Sequence, residues 1–354
     1  LRSDTITALG LMSGSSLDGL DMACCRFTFA ENNWQYQILQ TETISFSEYW
    51  QDKLSQAPTL PSAELKQLHT SFGRYLGEVA HDFILKHELE PDLIASHGHT
   101  IFHAPERGFS FQLGRGDMIA KATQITTVSD FRNEDIRHGG QGAPLVPIGD
   151  ELLFGDFAAC VNIGGIANIS FKKNNQRVGY DLCAANQMLN ALSNRLGMPY
   201  DMDGKVASSG CSDTSLLALL DDDAYFTRVY PKSLSNAYVQ TRFVKTVLEH
   251  EGSIADKMAT AVEHIRQHMA RALNELPTGK ILITGGGAHN RFLIHSIGKH
   301  TRHQLVVPEA VLVDNKEALI FAFMGVLRLR NQVNCLASVT GASQDSIGGV
   351  IHQP

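Results

Sequence analysis

Three apolar runs, a long amphipathic stretch and a further buried run occur in that order twice along this chain. In the first half the runs are Thr5–Met12, Leu20–Phe29 and Gln35–Phe46. A helical stretch over Ser62–Leu89 follows, with Leu65, Leu68, Phe72, Leu76, Val79 and Phe83 at helical spacing, and then the strand Leu93–Ser96. In the second half the runs are Phe157–Ile163, Ile166–Lys172 and Val178–Cys183. A helix begins near Asn186, and helices over 238–251 and 254–276 precede the strand Lys280–Thr284. The residues do not repeat, but the order of elements does. Duplication at this scale predicts two related α/β domains facing a cleft. A last helix, Asn315–Leu329, is expected to cross back to the first domain. The expected division is residues 1–125 with 326–354, and residues 126–325.

A chain of 354 residues has two domains as its natural prior. With 43% hydrophobic and 19% charged residues, the composition is that of a globular protein and does not indicate disorder. A formal charge of −7 argues against an extended nucleic-acid surface, while leaving room for a local basic pocket. No apolar run reaches the ~18–20 residues of a membrane span. The first residues also lack the regions of a signal peptide, so no membrane partner is expected. Cys24, Cys25, Cys160, Cys183, Cys211 and Cys335 match no zinc spacing. They read as reduced, buried thiols of a cytosolic protein.

Glycine-bearing loops follow or join the strands. The first, within Gly10–Asp21, includes Gly14, Ser15, Ser16, Leu17, Asp18, Gly19, Leu20 and Asp21. Small residues let backbone N–H groups approach an anion, and Asp18 and Asp21 are oxygen ligands of the kind Mg²⁺ prefers. The second loop, Asn162–Asn168, holds Asn162, Gly164 and Gly165 at the same place in the repeat. Together they predict a two-sided clamp on the phosphates of a nucleotide. The third, Gly285, Gly286 and Gly287, lies between a strand and a helix and suits a flat ring close to the backbone. None is a Walker A motif or a dinucleotide fingerprint. The fourth loop, Asp130–Pro147, crowds acids, arginines and glycines together. Arg132 suits a substrate carboxylate, and Asp135 and Gln141 suit sugar hydroxyls.

Asp181 stands at a strand end beside the expected cleft, a usual place for a general base. Asp201–Lys205 reads as a structural or substrate-shaping turn. His97, His99 and His103 raise the question of a metal, but Gly98 reads as a turn and no matching ligand set follows, so they are taken as polar pocket wall. There is no nucleophile elbow, and no cysteine is placed as a nucleophile.

Gly10–Asp21, Ser96–Gly98, Asp130–Pro147, Asn162–Asn168, Asp203–Gly210, Gly285–Asn290, Lys316–Ala318 and Val339–Ala342 occur in the order seen in anhydro-N-acetylmuramic acid kinases, and the chain resembles that family nearly end to end. The resemblance implies two related actin/Hsp70/hexokinase-like (ribonuclease-H-like) α/β domains around a nucleotide cleft. It implies that MgATP and water convert 1,6-anhydro-N-acetylmuramic acid to N-acetylmuramic acid 6-phosphate and ADP in cytoplasmic peptidoglycan recycling. It assigns the base to Asp181, ATP phosphates to Gly14–Asp21 and Asn162–Gly165, and metal-bound water to Asp18. The nucleoside falls to Gly285–Gly287, and the sugar to His97, Arg132, Asp135, Gln141 and Glu317. It further implies a homodimer. One departure stands out. The family's pattern Asp-Thr-Gly-Pro-Gly-Asn is here Asp181-Leu182-Cys183-Ala184-Ala185-Asn186, so a different backbone path is expected after Asp181. That departure keeps open a same-fold kinase for another amino sugar. An ATP-binding regulator without catalysis is the other alternative, opposed by the joint presence of Asp181, Asp18 and Arg132.

Overall fold

A computed structural model describes residues 5–14 and 17–354, so Ser15 and Ser16 lie outside the described residues. In chain order the strands and main helices begin with β1 (Thr5–Ser13), β2 (Gly19–Ala30), β3 (Asn33–Ser45), α1 (Ser62–Lys86) and β4 (Leu93–Ala104). Next come β5 (Phe109–Leu113), β6 (Thr127–Ser129) and α2 (Asn133–Arg137). There follow β7 (Ala159–Ile163), β8 (Ile166–Lys173), β9 (Gln176–Ala184), α3 (Asn186–Asn194), α4 (Thr214–Asp221) and α5 (Ile254–Asn274). The chain closes with β10 (Lys280–Thr284), α6 (Arg291–Gly298), β11 (Gln304–Val306), α7 (Ala310–Leu329) and β12 (Val350–His352). Two compact units result, Leu1–Leu153 with Asn315–Pro354, and Phe154–Asp314.

In the first unit β1, β2 and β3 form an antiparallel meander, and β1 then pairs in parallel with β4. The sheet order is β12-β6-β4-β1-β2-β3, with β5 hairpinned onto β4. Alternation along β1 sorts its two faces. Leu9 and Leu11 join the cluster built by Leu68, Phe72, Leu76, Ala80 and Phe83 of α1. On the other face, Gly10 lies so close to α7 that a Cβ there would stand 1.9 Å from the Ala318 carbonyl oxygen. Ala318–Met324 of α7 are all buried, as expected of a helix enclosed on every side.

The second unit repeats the scheme. β7, β8 and β9 form the antiparallel meander, β10 pairs in parallel with β7, and the order is β11-β10-β7-β8-β9. Its core joins Val161, Ile163 and Ile169 of the sheet to Met258, Ala261, Ile265 and Met269 of α5. Third, second, first and fourth strands thus stand side by side in both sheets, the ribonuclease-H-like order of actin/Hsp70/hexokinase-like domains.

The division between units differs from the sequence expectation of 125/126 and 325/326. The short strand β6 pairs with β4, and the buried length of α7 from Asn315 onward belongs with the first sheet. Gly98 does not end its strand. β4 runs on to Ala104 through a register shift opposite Leu11 and Met12, with Gly98 at φ +70°. The stretch 238–251 is helical but widens to a π-helix over Val239–Val244. Five cysteines are buried, whereas Cys211 is exposed. Among the described residues no helix is long and apolar enough to cross a membrane.

Candidate active site

The opening loop is the β1–β2 turn, closed by pairing of Ser13 with Leu20. Leu17 has φ +61°, Asp18 is exposed, and the Phe46 N–H donates to the Asp18 carbonyl at 3.2 Å. Asp21 accepts from the Thr43 hydroxyl across β2–β3 at 2.7 Å. Asp18 and Asp21 therefore offer hard oxygen donors on one turn and the strand that leaves it, a chemistry that fits Mg²⁺.

In the second unit Asn162 pairs with Thr284 of β10 and with Asn168 of β8, so the second and third glycine loops adjoin. Gly285 has φ +81° and ψ 163°, and a Cβ there would stand 2.5 Å from Asn162 Oδ1. That backbone region is essentially glycine-only. A 3-10 turn over Gly286–His289 leads to α6, whose Leu293 N–H is capped by Asn290 Oδ1 at 3.0 Å. A cavity of about 1000 Å³ opens here, lined by Asn186, Tyr200, Asp201, Gly286, Gly287 and Asn290 among others. Its volume and flat glycine floor suit a nucleoside. Asp201 shapes the wall by accepting from the Val206 and Ala207 N–H groups at 2.9 Å each.

Asp181 lies on β9 opposite Asn168. Its Oδ2 accepts from the Leu234 N–H at 2.8 Å, its own N–H donates to the Lys232 carbonyl at 3.3 Å, and its carbonyl accepts from the Tyr225 hydroxyl at 2.6 Å. The Lys232 ammonium lies 4.7 Å from the Tyr225 ring centroid. Desolvation raises the Asp181 carboxyl to about 6, against the pull of the Leu234 N–H. A carboxylate so held has one oxygen fixed and a proton affinity near neutrality, both suited to a general base. Asp181 is visible in the sequence as a carboxylate near a strand end, but its holders are not. Backbone N–H groups leave no side-chain signature, and Tyr225 and Lys232 reach Asp181 across some fifty residues of chain.

The turn after Asp181 needs no glycine. None of residues 181–186 has a positive φ, and Ala185 has φ −135°. The turn is tied to the second loop, because Asn186 N–H donates to the Gly164 carbonyl and Ala185 and Gln187 N–H to that of Gly165, at 2.9–3.2 Å.

In the first unit the Asp130 loop brings Arg132 to His97. Arg132 donates from Nε and Nη2 to His97 Nε2 at 3.2 and 2.7 Å, and from Nη1 to the Gly142 carbonyl at 2.7 Å. Because Arg only donates, His97 is protonated on Nδ1, which donates to the Gly98 carbonyl at 2.9 Å. Burial, reinforced by the Arg132 charge, keeps this imidazole neutral, well below its usual pKa. Burial also brings Arg132 down to about 10. One N–H on each Nη remains for a ligand, so a bidentate grip through the Nε edge is already engaged by His97.

Asp135 has a different environment from the sugar contact expected of it. It is fully buried, with Oδ1 accepting from the Thr340 hydroxyl at 2.6 Å and Oδ2 from the Gly142 N–H at 2.7 Å. Gln141 is exposed, and its N–H donates to the Thr340 carbonyl at 2.9 Å. Glu317, on α7, has solvent-exposed surface, yet the protein crowded around its carboxyl and the charge of Asp21 raise it, with Arg132 and Lys316 pulling the other way. His97 also borders a second cavity of about 430 Å³, with Asp130 and Asn133 on its wall.

The three histidines of β4 do not converge. His99 Nδ1 meets the Ser13 hydroxyl at 2.9 Å, and His103 Nδ1 that of Ser110 at 3.0 Å.

The family model described as anhydro-N-acetylmuramic acid kinase matches residues 6–354. The anhydro-N-acetylmuramic acid kinase of Hydrogenovibrio crunogenus is 32% identical over 361 residues, covering 98% of this chain and 98% of its own. That of Pasteurella multocida is 32% identical over 372 residues, covering 99% and 98%. Among solved structures, the activator of the 2-hydroxyisocaproyl-CoA dehydratase from Clostridium difficile with bound ADPNP is similar at a TM-score of 0.46 and 14% identity, covering 92% of this chain and 96% of that one. With a family match over nearly its whole length and relatives above 30% identity, this chain belongs to the anhydro-N-acetylmuramic acid kinase family.

Proposed function

We propose that this chain is the ATP-dependent kinase its family name describes. In this reading it opens 1,6-anhydro-N-acetylmuramic acid with water and phosphorylates O6, yielding N-acetylmuramic acid 6-phosphate and ADP. The observation that carries the reading is Asp181, a carboxylate held by a backbone N–H and raised to about 6.

The chemistry divides among the residues. Asp181 removes a proton from the water that attacks the anomeric carbon. The bond from that carbon to O6 breaks, and O6 takes its electron pair to the γ-phosphorus as the β,γ-bridging bond of ATP breaks. Backbone around Gly14, Asn162, Gly164 and Gly165 supports the phosphates, and Gly285–Gly287 supports the nucleoside. Asp18, with Asp21, would hold Mg²⁺, whose charge when bound offsets that of the transferring phosphoryl group. The remaining N–H groups of Arg132 meet the sugar's carboxylate, with Gln141 and Glu317 nearby. Neutral His97 keeps Arg132 in place without adding charge. Asp135 acts through Gly142, whose N–H it accepts and whose carbonyl Arg132 meets, so it is a positioning residue. The substrate's origin in recycled cell wall supports work in the cytoplasm, and the family resemblance supports a homodimer.

The test is ADP release with MgATP across a panel of sugars. Equimolar ADP and phosphosugar from the 1,6-anhydro muramic sugar is the expected result. Turnover of N-acetylglucosamine or its anhydro form alone would overturn the substrate. ATP binding without turnover of any sugar would overturn the enzyme.

A further inference from the structure

Away from the glycine loops, three metal-ligating side chains of the second unit meet. Asp221 ends α4, and His264 and His268 stand four residues apart on one face of α5. Their ligand atoms lie within 4.8 Å of one another. One oxygen, Asp221 Oδ1, is 2.6 Å from His264 Nδ1 and 3.0 Å from His268 Nε2. Aromatic rings fix both imidazoles. Phe226 stacks on His268 at a centroid distance of 3.8 Å and meets His264 edge-on at 5.3 Å.

A second observation concerns His264, which is fully buried while its Nε2 has no hydrogen-bond partner. With Nδ1–H donating to Asp221, that nitrogen is an unpaired acceptor. With a cation on Nδ1, the proton moves to Nε2, which then is an unpaired donor. An unpaired atom is present either way, so exchanging hydrogen bond for metal adds no new unsatisfied group. The Asp221 side chain is 31% exposed and gives a cation a path in from solvent.

We propose that Asp221, His264 and His268 bind a first-row divalent cation of the zinc type, joining α4 to α5. Two imidazoles and a carboxylate suit such an ion and leave a fourth position for water, whereas Mg²⁺ prefers oxygen alone. Metal–nitrogen bonds of ~2.0–2.1 Å put tetrahedral ligand atoms about 3.3 Å apart. Against the present 2.6 and 3.0 Å, Asp221 therefore moves outward by roughly 0.3–0.7 Å, which its part-exposed side chain permits. Each imidazole keeps its proton on the nitrogen that does not ligate.

The full chain, freed of metal by a chelator, is titrated with Zn²⁺ in the presence of excess Mg²⁺ by calorimetry and by thermal melting. The expected result is one saturable equivalent with a rise in Tm. Asp221→Asn should bind at least about tenfold more weakly, with unchanged nucleotide affinity as the check that it folds. Equal binding by both proteins, or no saturable uptake by the wild type, overturns the site. A zinc-soaked crystal of the wild type decides the matter without a variant. An anomalous peak among the three side chains supports the site, and a peak elsewhere or none refutes it.

Discussion

Asp181 is desolvated by its surroundings and given a single backbone donor, and the first of these wins. As a base it works only when ionised, so kcat/KM is expected to fall as pH drops through about 6 and to level off above. Asp181→Asn keeps the acceptor for Leu234 but cannot take a proton. Turnover should drop by about 10²–10⁴-fold with ATP affinity nearly unchanged, and activity within a few-fold of wild type would refute the base. The same carboxyl leaves a mark on stability. Its folded pKa stands above the ordinary 3.8. The stability it contributes is therefore complete below that value and is lost as pH rises to about 6. The Asn variant lacks this loss, so its Tm relative to wild type should climb between pH 4 and 6.5, roughly the window of the two pKa values. A flat difference would mean that Asp181 is not desolvated.

The elements supply what single residues cannot, namely places where two backbones nearly touch. Gly285 follows β10 and stands against Asn162 in a region of φ and ψ closed to other residues. Gly285→Ala should cost on the order of 1–3 kcal/mol of stability and raise KM for ATP more than KM for sugar, as steady-state kinetics and melting would read. Asp135→Ala removes the acceptor of the Gly142 N–H and the Thr340 hydroxyl, both inside the first unit. About 1–3 kcal/mol for each buried donor left unpaired is expected, with a raised KM for sugar because Gly142 also holds Arg132. A KM for ATP that rises equally would refute the positioning role. The sequence showed these elements unevenly. Long runs such as Leu20–Phe29 and the α1 stripe were legible because burial imposes a period on many residues at once. β6 and β12 were not, because three residues carry no period. Gly98 misled because a glycine reads as a turn, while here it serves a bulge inside a strand. Asp135 misled because its charge suggested a ligand, and only tertiary contacts reveal that its oxygens are engaged. His264 and His268 carried a usable signal, their i, i+4 spacing, but Asp221 comes to them from another helix.

At the scale of the whole chain, one topology has been used twice with different loops grafted on it. In the proposed reading the first unit carries His97, Arg132 and Glu317 for the sugar, and the second carries Gly285–Gly287 for the nucleoside and Asp181 for the base. The duplication was legible because β-β-β-α order survives when residues do not. The boundary was not, because α7 is one continuous helix whose buried stretch from Asn315 belongs to the first unit while its start belongs to the second. This division of labour predicts how ligands redistribute protection in amide hydrogen exchange, which reports local opening segment by segment. A non-hydrolysable ATP analogue with Mg²⁺ should slow exchange at 162–165 and 285–291 of the second unit and around Gly14–Asp21 of the first. The anhydro sugar alone should slow exchange at 130–142, the segment whose N–H groups Asp135 and Thr340 hold, and leave 285–291 as it was. If the sugar instead protects 285–291, or the analogue protects 130–142 with no effect on the glycine loops, the two ligands are not divided between the units in this way.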